Sequence, residues 1–158
     1  MKNFELLFDT IPPYPGLNIA IIEDGDADLV QSLYKFTKSL DAFLHVMHIG
    51  ETQEKKENSI RIESFSLEQA KYSKFSILYD FLFLCIDMKK ETNIELVFKK
   101  IYRVMKNAGE LYILVDKKDD RDYAGVLEDS NYVALNSIDL NKETRVITAK
   151  KMHGWRKV

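Results

Sequence analysis

Short apolar runs alternate with stretches of helical periodicity along this chain, and this alternation limits the folds open to it most narrowly. Residues 19–22, 81–86 and 111–115 are apolar at every position, which is typical of strands covered on both faces. Apolar side chains recur at helical spacing over residues 29–40 and 94–105. Because strands interleaved with helices form parallel sheets through right-handed crossovers, we predict a Rossmann-like α/β domain.

The remaining segments complete this prediction. Capping-box sequences at 66–69 and 92–95 should each start a helix, and Gly109 stands where a left-handed C-terminal cap would end the second. Two long runs near the end flank a short polar loop, which indicates an antiparallel hairpin. The sequence thus predicts three layers, with helices on both faces of a mostly parallel seven-stranded sheet that ends in this hairpin. The other strands are expected at 43–49, 59–65, 132–140 and 144–152, and a short helix at 122–129.

Proline and charge mark the domain organisation. All three prolines lie within residues 12–15, beside Gly16, and separate a short amphipathic opening from the patterned segments. The end of the chain, from residue 150 onwards, is rich in lysine and arginine. We therefore divide the chain into an N-terminal arm (1–16), a folded domain (17–152) and a basic tail (153–158).

Composition excludes several classes of protein. The 23 lysines and arginines nearly balance the 25 acidic residues, so there is no strong nucleic-acid signal. The longest apolar run is far shorter than the roughly 20 residues of a membrane-spanning helix, so no membrane partner is expected. A single cysteine, Cys85, cannot close a disulfide within the chain, which favours a reducing, cytoplasmic location.

An acidic cluster follows the first predicted strand. Glu23, Asp24, Asp26 and Asp28 lie within six residues, and such carboxylates can hold Mg²⁺ or face a cationic substrate. They can equally form a solvated loop whose charges favour the start of the next helix, and we prefer this interpretation. His45 and His48 are three residues apart in a strand and point to opposite faces, so they cannot chelate one ion together. No metal site is predicted.

Two stretches resemble a known family. Tyr79–Leu84 is similar to the fourth-strand signature of class I S-adenosylmethionine-dependent methyltransferases. Residues 101–113 resemble that family's following helix, its Leu-Lys-Pro-Gly-Gly turn and its fifth strand, with Asn107-Ala108 in place of Pro-Gly. The resemblance runs from about residue 17 to 152 and implies a seven-stranded Rossmann-like fold, a methyltransferase activity and S-adenosylmethionine as the cofactor.

The resemblance also implies where the cofactor would bind. The family's Gly-x-Gly-x-Gly loop aligns with Glu23-Asp24-Gly25-Asp26-Ala27, in which only the middle glycine is kept. The position of the ribose-binding acid falls near His48, with Glu51 as the nearest carboxylate, and no acid stands at the adenine position near residues 64–66. Asp87, after the fourth strand of the family pattern, is the candidate catalytic residue. The implied cofactor-binding residues are Glu23, Gly25, Ala27, His48, Glu51 and Cys85.

Three functions remain open at this point. The first is a small methyltransferase with an atypical cofactor pocket and an unknown acceptor. The second is a non-catalytic methyltransferase-like scaffold that associates with a protein partner or forms a homodimer, favoured by the side chains that replace two loop glycines. The third, a receiver-like phosphorelay domain, lacks an aspartate at the acceptor position, which is Cys85, and does not account for the closing hairpin.

Overall fold

The computed structural model describes residues 4–73, 77–88 and 93–152, and within these ranges it contains four helices and eight strands. The helices are α1 (Glu5–Phe8), α2 (Ala27–Ser39), α3 (Ile94–Val104) and α4 (Tyr123–Asp129). The strands are β1 (Asn18–Glu23), β2 (Phe43–Ile49), β3 (Lys55–Lys56), β4 (Ile60–Phe65), β5 (Tyr79–Cys85), β6 (Met105–Asp116), β7 (Tyr132–Asp139) and β8 (Thr144–Lys151).

All eight strands form one sheet in the order β3-β4-β2-β1-β5-β6-β8-β7. The five strands from β4 to β6 in this order are parallel, whereas β8 is antiparallel to β6 and β7 is antiparallel to β8. The predicted Rossmann-like sheet and its closing hairpin are therefore confirmed. The extra strand is β3, a two-residue antiparallel edge on β4 that is too short to leave a pattern in the sequence.

The sheet is buried on both faces, as the uninterrupted apolar runs predict. On β1, Ala20 and Ile22 face a cluster that includes α3 and α4, whereas Ile19 and Ile21 face a cluster that includes α1 and α2. All four side chains are fully buried. Helices therefore cover both faces, and each parallel strand delivers its carboxyl end to the same edge of the sheet.

The opening segment packs into the α2-side cluster. Phe4, Leu7, Phe8 and Ile11 are buried there. The Phe8 ring stacks on Phe36 of α2 with 4.8 Å between centroids. The apolar side chains of the amphipathic opening segment thus help to cover the face of the sheet that packs against α2.

The helix predicted to begin at Ser66 does not form within the described residues. The capping-box bond is present, since the Ser66 N–H donates to Gln69 Oε1 at 3.1 Å, but residues 67–70 form only turns. The Leu67 and Gln69 carbonyl oxygens accept hydrogen bonds from Lys100 Nζ at 3.4 and 3.0 Å. Those carbonyls are satisfied by a side chain of α3 rather than by the next turn of a helix.

The ends of α3 also differ from the prediction. Asn93 is the N-cap, since its side chain accepts the Leu96 N–H at 3.2 Å, whereas Thr92, the predicted cap, lies outside the described residues. The helix passes directly into β6, and Gly109 lies inside that strand rather than at a helix cap. Ala108 instead has the positive φ of 63°, at the register shift where β6 begins to pair with β5.

Substitutions at this register shift should distinguish the effect of steric crowding at Gly109 from that of the positive φ at Ala108. A Cβ on Gly109 would lie 2.9 Å from the Lys106 carbonyl oxygen and 3.1 Å from that of Tyr79. Gly109→Ala should therefore lower the free energy of unfolding by about 2 kcal/mol, whereas Ala108→Gly should raise it by up to about 1 kcal/mol. Urea denaturation of both variants measures the two effects. Equal effects at the two positions would contradict this account of the turn.

The basic tail at 153–158 lies outside the described residues. Within the described part of the chain, no helix has the length and apolar character needed to cross a membrane.

Candidate functional site

An open cleft lies at the carboxyl ends of β1 and β5, between the loops that follow them. Its volume is about 590 Å³. In open parallel sheets this edge is where ligands bind, because loops from neighbouring strands diverge there. The residues that line this β1/β5 cleft are Asp24, Gly25, Asp26, Ala27, Asp28, Cys85, Ile86 and Asp87.

The carboxylates of the β1 loop hold the cleft together. Asp26 caps α2, as one Oδ accepts the Leu29 N–H at 3.1 Å, and its other oxygen accepts the Cys85 thiol at 3.5 Å. Asp24 crosses to the β5 loop, where its Oδ2 accepts the Asp87 N–H at 2.9 Å. Asp26 supports the start of α2, as the preferred interpretation of the acidic cluster expects, whereas Asp24 instead joins the β1 loop to the β5 loop. Among the described residues, no group of three metal-binding side chains is arranged to hold an ion.

Glu23, which is buried, and His48, which is half-buried, form a pair beside the cleft. They are register partners on β1 and β2, and Cys85 is the partner of Glu23 on β5. His48 Nδ1 lies 2.6 Å from Glu23 Oε1, and Glu23 Oε2 accepts the Gly25 N–H at 2.7 Å. Glu23 is only 4% exposed and is not among the residues that line the cleft. The carboxylate that replaces the first loop glycine is therefore folded under its own loop.

Five of the six predicted cofactor residues lie at or beside the cleft, and the sixth, Glu51, does not line it. Glu23, Gly25 and His48 meet at the end of β1, and Ala27 and Cys85 line the adjoining cleft. Glu51 is different, because it is exposed beyond the end of β2. The adenine position near residues 64–66 presents hydroxyl groups, one of which, Ser64 Oγ, accepts the Thr52 N–H at 3.1 Å.

A second cavity of about 270 Å³ adjoins the cleft at the ends of β5 and β6. Ile86 and Asp87 line both spaces, so the candidate catalytic residue stands between them. The other residues that line this β5/β6 cavity are Met88, Leu114, Val115, Asp116 and Asp119.

A hydrogen-bonded cluster that the sequence did not single out fixes the wall of the β5/β6 cavity. Asp119 is 6% exposed, and its two oxygens accept the Arg121 Nε–H at 3.1 Å and an Nη–H at 2.9 Å. The Tyr123 hydroxyl donates to the same carboxylate, and Arg145 donates to the Asp119 carbonyl at 3.2 Å. The Arg121 guanidinium and the Tyr123 hydroxyl hold the pKa of Asp119 well below its usual range. In the sequence, Asp119 and Arg121 lie in a charged run between the strand at 111–115 and the helix predicted at 122–129, and no motif distinguishes them.

Sequence reasoning also missed a buried network of β2, β4 and β5, on the face of the sheet that packs against α3 and α4. His45 is 1% exposed, its Nε2 lies 2.9 Å from Glu63 Oε1, and its Nδ1 is hydrogen-bonded to the Tyr79 hydroxyl. Desolvation lowers the pKa of His45, outweighing the attraction of Glu63, and burial raises the pKa of Tyr79 to about 12. A neutral His45 thus donates a hydrogen bond from Nε2 to the Glu63 carboxylate and accepts one at Nδ1 from the Tyr79 hydroxyl. Three strands supply the network, so no local motif announces it.

The lowered pKa of His45 predicts a pH-dependent stability. In the unfolded chain its imidazole takes up a proton below pH about 6.5, whereas the folded protein resists protonation. The contribution of the neutral His45 to the free energy of unfolding is therefore complete above that pH. It is lost as the pH falls, by at most about 1.4 kcal/mol per pH unit. Urea denaturation between about pH 5 and pH 8 measures this difference. The free energy of unfolding should depend less steeply on pH for His45→Asn than for the native chain. Parallel curves would contradict this role.

The fold is shared with solved structures. No family model matches the chain, and a search of curated protein sequences finds no match. A SAM-dependent methyltransferase from Aquifex aeolicus superposes with a TM-score of 0.72 at 15% identity, over 94% of this chain and 89% of that one. Phosphoethanolamine N-methyltransferase 2 of Haemonchus contortus, in complex with S-adenosyl-L-methionine, gives 0.71 at 9% identity over 95% of this chain and 52% of that one. The [4+2]-cyclase SpnF gives 0.73 at 10% identity, over 95% and 80%.

These likenesses extend over nearly the whole described sheet, although the identities are too low to carry over an activity. Once the two-residue edge β3 is set aside, seven strands remain, and they form the mostly parallel sheet with a closing antiparallel hairpin that the sequence resemblance implies. The chain therefore has the Rossmann-like fold of the class I S-adenosylmethionine-dependent methyltransferases.

Proposed function

We propose that the chain is an S-adenosylmethionine-dependent methyltransferase that binds its cofactor in the β1/β5 cleft and its acceptor in the adjoining β5/β6 cavity. The observation that carries the proposal is the pair of connected spaces at the carboxyl edge of a methyltransferase-like sheet, with Asp87 between them. A space of about 590 Å³ is in the range that drug-sized ligands occupy.

The charges around the cleft fit one part of this cofactor. S-adenosylmethionine carries a positive sulfonium and a positive ammonium, and Asp24, Asp28 and Asp87 supply negative charge to the walls of the cleft. We expect Glu51, exposed beyond β2, to accept hydrogen bonds from the ribose hydroxyls. When bound, the sulfonium supplies an electrophilic methyl group. Asp87 would orient the acceptor and take up its proton from the side of the β5/β6 cavity.

The cofactor carboxylate fits less well. Gly25 is the one glycine that this loop keeps from the family's Gly-x-Gly-x-Gly sequence, and its N–H is already bonded to Glu23. No lysine or arginine is among the residues that line the cleft in the described part of the chain. Negative walls without a partner for a carboxylate favour the sulfonium form over the uncharged thioether product.

Calorimetric titration tests cofactor binding directly. We expect saturable binding of S-adenosylmethionine, at least about tenfold tighter than that of S-adenosylhomocysteine, because methyl transfer removes the positive sulfonium. Raising the salt concentration should weaken the first ligand more than the second. Asp129→Asn, at an exposed position on α4, is the control that should leave both affinities unchanged. An absence of heat at millimolar ligand, with the protein folded, would exclude the proposal.

A second function, a non-catalytic scaffold for protein association or a homodimer, is favoured by one observation. The buried Glu23 carboxylate satisfies the loop N–H and the His48 ring from within the protein. The loop is thereby stable without a ligand. Light scattering coupled to size exclusion, run on the same samples as the calorimetry, distinguishes the two functions. A dimer that persists on dilution and does not bind S-adenosylmethionine would favour the scaffold.

A further inference from the structure

Two backbone donors of the β1 loop are engaged within the protein. The Gly25 N–H donates to Glu23 Oε2 at 2.7 Å, and the Ala27 N–H donates to the Gly25 carbonyl at 3.1 Å. Across the cleft, the Asp87 N–H donates to Asp24 at 2.9 Å. A ligand carboxylate entering here would have to replace one of these internal acceptors.

Glu23 is the acceptor that is hardest to replace. Its second oxygen is 2.6 Å from His48 Nδ1, and the side chain is buried between β2 and β5 at the level of Cys85. Moving it away would break two hydrogen bonds and leave a buried carboxylate or an unpaired loop N–H. Its negative charge would also stand beside any ligand carboxylate that approached the Gly25 N–H.

We propose, resting on the cofactor site described above, that Glu23 is a specificity-determining residue which takes the place of a ligand carboxylate. The preferred ligand of the β1/β5 cleft is then a cationic nucleoside sulfonium whose side chain ends in an amine and carries no carboxylate. The amine and sulfonium face the aspartates that line the cleft, and the loop N–H needs no partner from the ligand. S-adenosylmethionine itself binds more weakly, because Glu23 occupies the Gly25 N–H that its carboxylate would otherwise meet.

Competing titrations with three nucleosides test this specificity. The probes are S-adenosylmethionine, its decarboxylated form and 5′-methylthioadenosine, which lacks the amino-acid part altogether. The decarboxylated form should bind at least about tenfold tighter than S-adenosylmethionine, a difference equal to one hydrogen bond to a charged group. The neutral methylthioadenosine should be the weakest of the three, since it has no positive charge to place in the cleft.

Variants of Glu23 separate its hydrogen bond from its charge. Glu23→Ala frees the Gly25 N–H and should bring the affinities of the two sulfonium probes within about threefold of each other. Glu23→Gln keeps an oxygen for that N–H but removes the charge, and should retain most of the preference seen in the native chain. Asp129→Asn, far from the loop, should leave the ratio of affinities unchanged. Circular dichroism confirms that each variant is folded.

The outcomes for this inference and for the proposed function are distinct. If S-adenosylmethionine binds as tightly as its decarboxylated form in the native chain, the specificity of Glu23 is refuted while the cofactor site stands. If Glu23→Ala leaves a tenfold preference unchanged, that preference has another origin and the inference is refuted as well. If none of the three probes binds, both the inference and the proposed function fail. Even if a variant does not fold, equal affinities of the two sulfonium probes in the native chain would refute the inference.

Discussion

Replacing Asp119 with alanine should lower the free energy of unfolding by about 3 kcal/mol, a larger effect on stability than we expect from any other substitution considered. The reason is the number of groups that depend on one carboxylate. Two guanidinium N–H groups of Arg121 and the Tyr123 hydroxyl donate to it. Arg121 keeps about a third of its side chain in solvent, 34%, which places the effect at the lower end of the range for a buried pair.

The pH dependence of this variant follows from the lowered pKa of Asp119. In the folded protein the carboxylate stays ionised at pH values where the unfolded chain has taken up a proton. Its stabilisation is therefore complete above the ordinary aspartate pKa of about 4 and is lost as the pH falls below that value. Asp119→Ala should accordingly be less acid-sensitive than the native chain, although it is less stable at neutral pH.

Urea denaturation of the native chain, Asp119→Ala and Asp119→Asn at pH 7 and pH 3 measures these differences. Asp120, the next residue along the chain, provides a matched control, because Asp120→Ala removes an exposed carboxylate from the same loop. We expect that control to change stability by less than about 0.5 kcal/mol. Equal effects of the two alanine variants would show that Asp119 does not organise the loop after β6.

The sequence predicts the sheet better than it predicts the site. Uninterrupted apolar runs identify β1, β5 and β6 because a strand covered on both faces must be apolar at each position. The helices α2 and α3 follow from their apolar stripes. The helix expected at Ser66 fails because the Lys100 ammonium, 31 residues away from Gln69 in sequence, satisfies the local carbonyl groups. A capping box cannot report such a distant competitor.

The site depends on contacts that cross strands, which explains what sequence reasoning could and could not find. Glu23 and His48 are 25 residues apart, and a family alignment brings them to one site without showing that they pair. The His45 network joins three strands and leaves no recognisable spacing, whereas the side-chain contacts of Asp119 are local but match no known motif. In each case an ordinary polar residue becomes special only because folding removes it from water beside one particular partner.

Asp87→Asn should reduce methyl transfer by about a hundredfold while leaving cofactor affinity within about threefold of the native value. The bond to Asp24 is preserved in this variant, because its donor is the backbone N–H of residue 87. What changes is the ability of the side chain between the two cavities to take up a proton from the acceptor. An amide orients a ligand by hydrogen bonds but is not a base at neutral pH.

Transfer of a radiolabelled methyl group to candidate small molecules, compared with calorimetric affinities for the same samples, separates these two effects. With Asp87→Glu, which retains a carboxylate on a longer side chain, part of the activity should return. Asp116→Asn removes a carboxylate from the β5/β6 cavity alone and controls for charge in that space. If Asp87→Asn and Asp116→Asn lower the rate equally, charge near the acceptor governs catalysis and Asp87 does not act as the base. If Asp87→Asn lowers affinity and rate together, Asp87 serves cofactor binding instead, and the proton must leave the acceptor for solvent.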